Sequence, residues 1–141
     1  MTAQAEADGA GQRAPGERGL MLAAISNAVV RIHKQFYGKG PTKARSHFSE
    51  SVLVVVLERG LMRSEQTLCE RGQTEAVVHA RLAMQRSIEP EMRAAIETEL
   101  RRPVRSLMNA VDPHNELEVV LCVLAPDDAE MLDGRYNADT V

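Results

Sequence analysis

Residues 52–57 read V-L-V-V-V-L, six apolar positions in succession and mostly β-branched. That length and composition favour a strand over a helix, and an unbroken apolar run favours one buried on both faces. Gly60 marks its end. Such a strand cannot stand alone. It needs neighbours in a sheet and a layer packed on it, and the rest of the chain must supply both.

A helix is predicted over residues 20–36, where Leu22, Ile25, Val29, Ile32 and Phe36 recur at steps of three and four and share one face. Asn27, Arg31 and Lys34 fall off that stripe. Gly38 and Gly40 stop the helix, and Pro41 fixes its own φ and disfavours helix at Gly40. A short helix is expected over 64–71, with Ser64 as N-cap and Gly72 as its stop. A longer one follows over 74–100, with Val78, Leu82, Met84, Ile88, Met92, Ile96 and Leu100 as its apolar positions. Pro90 removes a backbone donor there, which predicts a kink or a split near 87–89.

Residues 103–111 and 117–124 read as two strands joined by D-P-H-N-E, an antiparallel hairpin with a five-residue loop. The second strand is apolar on both faces after Glu118, so it should be central or covered. The expected fold class is α+β, in the order α-β-α-α-β-β, with a small three-stranded sheet and helices packed on one face. Three strands are marginal alone, so edge pairing into a homodimer is a plausible complement. Residues 1–19 carry Ala, Gly, Gln and Pro15 but almost no bulky apolar side chain, and read as a disordered leader. Residues 126–141 read as a loose acidic tail, which leaves 20–125 as one domain.

Charge narrows the class of partner. The 141 residues carry 17 basic and 20 acidic side chains, net −3, and aromatic content is 3% with no Trp. Neither a general affinity for nucleic acid nor a stacking platform for single strands fits that balance, and no sequence-specific nucleic acid is expected. The charges are segregated: residues 18–49 hold six Lys or Arg and no acid, whereas 106–141 hold eight acids and one base. Cys69 and Cys122 lack metal-ligand spacing and read as reduced thiols of a cytoplasmic protein. No apolar run reaches 18 residues, and the N-terminal stretch lacks a signal peptide's apolar segment.

The stretch 33–45, H-K-Q-F-Y-G-K-G-P-T-K-A-R, departs furthest from scaffold. Glycines let a backbone approach a ligand closely, and successive amides with Lys or Arg can form an anion nest. Lys34, Lys39, Gly40, Thr42, Lys43 and Arg45, with Asn27 and His33 on the preceding helix, are the candidate residues for binding an anion or an acidic partner. A structural turn with solvated lysines is the competing reading. The loop runs from helix to strand, so it is not a Walker A loop. His33 reads as a surface or capping residue near the helix end, and Arg81 and Arg86 as a solvated or ion-paired face. His47, His79 and His114 are scattered, which announces no zinc site. Asp112, His114 and Glu116 read as a turn satisfied by its own side chains, and Cys69 lacks the positive setting a reactive thiolate needs. No paired carboxylates and no nucleophile–base pair are legible, so an enzyme is not expected.

With G-K-G-P-T-K-A-R ahead of an apolar strand, the chain resembles the MpsC family of small bacterial proteins, named for a cation-translocating, membrane-potential-generating system. I-S-N at 25–27, H-K at 33–34, V-V-V-L at 54–57, L-x-x-x-E at 61–65, R-L-A-M-Q at 81–85 and R-P-V at 102–104 add to the resemblance, which covers roughly 19–125. Met62 stands where a capping Thr is expected, Met84 where Phe is usual, and L-R-R-P at 100–103 replaces a Thr-Gly-Arg turn. The resemblance implies a cytoplasmic protein, peripheral to a membrane at most, linked to cation or inorganic-carbon transport. It implies neither a catalytic residue nor a cofactor. The expected function is an accessory or interaction protein that meets a membrane transport protein or an anionic surface through the basic loop. The alternative is a sensor binding a small phosphate or carboxylate ligand at the same loop.

Overall fold

A computed structural model describes residues 3–7 and 15–126. The strand β3 (Val52–Glu58) lies at the centre of the sheet, as its sequence requires. β2 (Lys43–Ser49) pairs with one side of it and β5 (Leu117–Leu124) with the other, both antiparallel. β4 (Val104–Asp112) closes the β5 side, and β1 (Ala3–Ala7) runs parallel along β2, giving the order β1-β2-β3-β5-β4. Three helices accompany the sheet among the described residues: α1 (Pro15–Tyr37), α2 (Arg63–Glu70) and α3 (Thr74–Leu100). The class is α+β, but the sheet has four antiparallel strands and a parallel edge strand rather than three strands.

The missed antiparallel strand is β2. Its inward positions are Ala44 and Ser46, both fully buried, so the segment carries almost no apolar alternation. Both side chains are small because α1 lies directly over them, and Ser26 on α1 shares a 2.6 Å hydrogen bond with Ser46. Lys43 and Arg45 are therefore strand residues, not loop residues.

The core fills the space between one sheet face and the pair α1 and α3. Leu22, Ile25, Val29 and Ile32 face inward as the periodicity predicts, while Phe36 is exposed and Tyr37 takes the buried place. Leu53 and Val55 on β3 and Val120 and Cys122 on β5 meet them from the sheet. Each such large aliphatic side chain contributes about 1.5–3 kcal/mol by leaving water. Among the described residues only one face of β3 is covered, not the two expected. Only alternate residues of β3 and β5 are buried, and Val52, Val54, Val56, Val119, Leu121 and Val123 lie on an outer face that no described helix covers.

α3 runs unbroken through Pro90. Pro90 is exposed, as is Arg86, whose carbonyl loses its helical partner, so water can take the place of the missing donor. The stripe α3 buries is Val77, Arg81, Gln85, Ile88, Met92, Ile96 and Leu100, displaced from the positions expected at Val78 and Leu82, while Met84 packs half-buried against the core. Arg101 ends the helix in the left-handed region, at φ 56° and ψ 34°, where the related turn's glycine would sit without strain.

Part of the stretch read as a leader is ordered. Residues 15–19 belong to α1 because Arg18 is buried, donates to the Phe48 carbonyl and lies 5.0 Å over the Phe48 ring. β1 needs only main-chain pairing along β2. The rest of that stretch, and the tail after Pro126, lie outside the described residues.

Candidate functional site

Two of the four amides in the loop from Gly38 to Thr42 are engaged within the chain. Gly38, at φ +80°, donates its amide to the Lys34 carbonyl at 3.0 Å, and the Thr42 amide donates to the Glu58 carbonyl at 3.0 Å. Pro41 has no amide hydrogen. Gly40 is glycine for packing: a Cβ there would meet the Val30 carbonyl at 3.3 Å and the Lys34 Cβ at 3.4 Å. Lys39 Nζ donates to the Leu61 carbonyl at 3.0 Å.

The candidate residues separate into three places. Lys43 and Arg45 project from β2 onto the uncovered sheet face, where both approach Glu58 Oε2, at 3.7 and 3.8 Å. Asn27, Arg31 and Lys34 follow at steps of four and three along the exposed side of α1, where Arg31 and Lys34 have no ion-pair partner among the described residues. Lys39 stands just beyond the end of that helix. Thr42 is exposed beside the sheet, and His33 points the other way, into the core.

His33 is not a surface residue. It is 1% exposed and belongs to a buried polar cluster drawn from four elements: His33 and Tyr37 on α1, Glu65 on α2, Arg81 and Gln85 on α3, and Glu118 on β5. Arg81, read from sequence as a solvated or ion-paired residue, is ion-paired but only 3% exposed. Its guanidinium grips both carboxylate oxygens of Glu65, Nε to Oε2 at 2.7 Å and Nη2 to Oε1 at 2.6 Å. That bidentate geometry is specific to arginine. Arg81 also donates to the Gly60 carbonyl at 2.8 Å, lies 3.6 Å from Glu118 and sits 4.2 Å over the Tyr37 ring.

The imidazole of His33 joins the other half. Its Nδ1 lies 3.0 Å from the Val29 carbonyl, which can only accept, so that nitrogen carries a proton. Its Nε2 lies 2.8 Å from Glu118 Oε2. Gln85 Nε2 donates to Glu118 Oε1 at 3.1 Å and to the Tyr37 hydroxyl at 3.2 Å, and lies 3.0 Å from His33 Nε2. The Tyr37 ring stacks on His33 at 5.5 Å.

Electrostatics follow from this packing. Burial pushes the Glu65 carboxyl upward, but hydrogen bonds from Arg81 and from the Met62 amide outweigh it and hold the group below its ordinary range. Burial, reinforced by Glu118, raises the Tyr37 hydroxyl to about 12. Burial raises the Cys122 thiol to about 11, and both cysteines are free. The space beside the cluster, between His33, Pro41, Gly60 and Arg81, is about 10 Å³, room for a single water and no larger ligand. Drawn from α1, α2, α3 and β5, the cluster can fix how three helices and the sheet meet.

Sequence reasoning missed this cluster although two signals mark it. Arg81 and Gln85 interrupt an apolar stripe that is regular on either side, and Glu118 is the only charge within β5. In the hairpin loop, by contrast, Asn115 donates to Asp112 at 2.8 Å, the self-satisfied turn that the sequence predicts. Among the described residues no group of His, Cys, Asp or Glu is placed to hold a metal ion. No helix among them is long and apolar enough to cross a membrane.

A family model described as "Na+-translocating membrane potential-generating system (MpsC)" matches residues 17–126. No curated protein and no solved structure matches the chain. The family's description ties it to a Na+-translocating system that generates membrane potential. Since the match spans most of the chain, from the first turn of α1 to just past β5, the protein belongs to the MpsC family.

Proposed function

We propose that the protein is a non-catalytic accessory component of a Na+-translocating, membrane-potential-generating system. It works on the cytoplasmic side, where it docks onto an acidic segment of a membrane-embedded partner. The observation that carries this reading is the strip Arg31, Lys34 and Lys39 along and just beyond the last turns of α1. These cations are exposed, and Arg31 and Lys34 have no counter-charge among the described residues. Unneutralised cations held on a rigid helix steer an acidic partner and set its register more than they add raw affinity. Lys43 and Arg45 contribute less, because Glu58 offsets part of their charge.

Sensing of a small anion at the loop is the weaker reading. The Gly38 and Thr42 amides are engaged by carbonyls of the chain itself, and Pro41 has no amide hydrogen to offer. The test is co-sedimentation of the full chain with membranes that contain the transport system. Binding is expected to weaken with rising salt and to be lost in the triple variant Arg31→Glu, Lys34→Glu, Lys39→Glu. Unchanged sedimentation of that variant, with its fold intact by circular dichroism, would remove the strip from the mechanism.

A further inference from the structure

The uncovered face of the sheet is ordered row by row. The pairings place Lys43, Glu58, Leu117 and Asp112 in one row across β2, β3, β5 and β4. Arg45, Val56, Val119 and Ala110 form the next, followed by His47, Val54, Leu121 and Met108. Beyond the charged end the face is apolar from β3 to β4, with Met108 46% and Val52 37% exposed. Four strands about 4.8 Å apart and seven residues about 3.3 Å each give a flat projection of roughly 400–450 Å². Monomeric proteins seldom leave a larger apolar patch in water.

We propose that this face is occupied by the same face of a second copy, forming a two-fold dimer of stacked sheets whose axis runs along the strands. The charge pattern selects the second copy and the direction of the axis. A two-fold axis along the strands, passing between β3 and β5, lays β2 of one protomer over β4 of its partner and sets Lys43 opposite the partner's Asp112, twice by symmetry. The valines and Leu121 of β3 and β5 then meet their counterparts, while Arg45 and His47 fall at the rim. An axis across the strands would instead reverse the rows and set Lys43 opposite the partner's Ser49 and Asp112 opposite the partner's Ser106, leaving both charges unmatched. Aligned sheets pack about 10 Å apart at about −30°, and the long stem of Lys43 spans the offset this creates at the rim. Glu58 Oε2 fits the same picture. It is shielded from solvent yet accepts no hydrogen bond, and its two cations stand at 3.7 and 3.8 Å, free to turn outward. Edge pairing, expected from sequence, is replaced by face pairing because the face carries the apolar surface.

Sedimentation equilibrium of the full chain at micromolar concentration tests this, with a mass twice the 15.5 kDa of the chain as the expected result. Leu121→Lys, at the centre of the face and away from the helix side, is expected to raise the dimer dissociation constant about a thousandfold and give a monomer. Circular dichroism and a retained cooperative melt establish that the variant folds. Lys43→Glu and Asp112→Lys are each expected to weaken the dimer about tenfold, and the two together to restore it. Within one protomer these residues stand three strand spacings apart, about 14 Å, so rescue reports a contact between protomers. A monomeric wild type, a folded Leu121→Lys that still dimerises, or a double reversal no better than the singles would each overturn the proposal. A monomeric wild type would leave the face to residues 127–141 or to a different protein.

Discussion

His33 and Lys34 are neighbours on α1, and their surroundings are opposite. Lys34 stands in water with Arg31 and has no counter-charge among the described residues, whereas His33 is sealed among Glu118, Gln85 and Tyr37. A helix turns about 100° per residue, so one step along it separates two charged regions of different kind. Inside, charges of opposite sign are paired, hydrogen-bonded and held by four elements. Outside, they share one sign and are held by one helix. A buried ion pair is costly to break and fixes geometry, while an exposed charge adds little to stability and remains available to a partner. Scaffold and contact surface thus occupy two sides of the same helix.

The strongest test of that division is Arg81→Ala. It would leave the carboxylates of Glu65 and Glu118 buried without their cation, and such losses typically cost about 3–5 kcal/mol. Urea unfolding followed by circular dichroism measures it. A loss below about 1 kcal/mol would mean that the cluster does not hold the helices together.

The cluster also sets an acid limit. The folded-state pKa of Glu65 lies below the ordinary value of 4.5. A depressed carboxylate contributes stability that is present above its unfolded pKa and lost as pH falls through the folded one. The midpoint of urea unfolding should therefore drop as pH falls below about 4.5, with a shallower drop in Glu65→Gln. That variant is less stable at neutral pH, since the amide binds Arg81 without charge. Equal slopes in the two proteins would place the acid sensitivity elsewhere.

How much of this was legible beforehand depends on what each element carries. β3, α1 and the hairpin announced themselves through long apolar runs or clear periodicity. β2 was silent because Ala44 and Ser46, small enough to lie under α1, are what a loop would also contain. In α3 the apolar stripe was placed on Val78, Leu82 and Met84, since a polar pair at Arg81 and Gln85 looks like a solvent face until the partner acids are known to lie opposite. The partners come from residues 65 and 118, and no local pattern links them. The exposed cations were legible as a basic run, but their division among strip, loop and sheet face follows from tertiary placement alone.

A smaller change sharpens the same comparison from the gaining side. Met62 occupies the N-cap position of α2 with extended backbone, φ −73° and ψ 159°, and its side chain caps nothing. Glu65 already accepts the Met62 amide at 2.8 Å, which is half of a capping box. Met62→Thr would supply the other half and is expected to stabilise the protein by about 1 kcal/mol, read as a higher urea midpoint. No gain would show that packing of the Met62 side chain offsets the cap.

The smallest expected effect is at the strip. Arg31 is exposed and unpaired among the described residues, and a surface substitution of that kind changes stability within about 0.5 kcal/mol. Arg31→Glu should therefore melt with the wild type while lowering membrane co-sedimentation. Lys34 provides an internal scale, because it lies in the last turn of α1, where the helix dipole favours a cation by about 0.3–1 kcal/mol. Lys34→Glu should accordingly be the less stable of the two, by that margin and no more. If Arg31→Glu instead lost several kcal/mol, the outer side of α1 would be structural as well. The separation between the two sides of the helix would then not hold. A melt equal to wild type, together with weakened binding, is the pattern that only a contact surface produces.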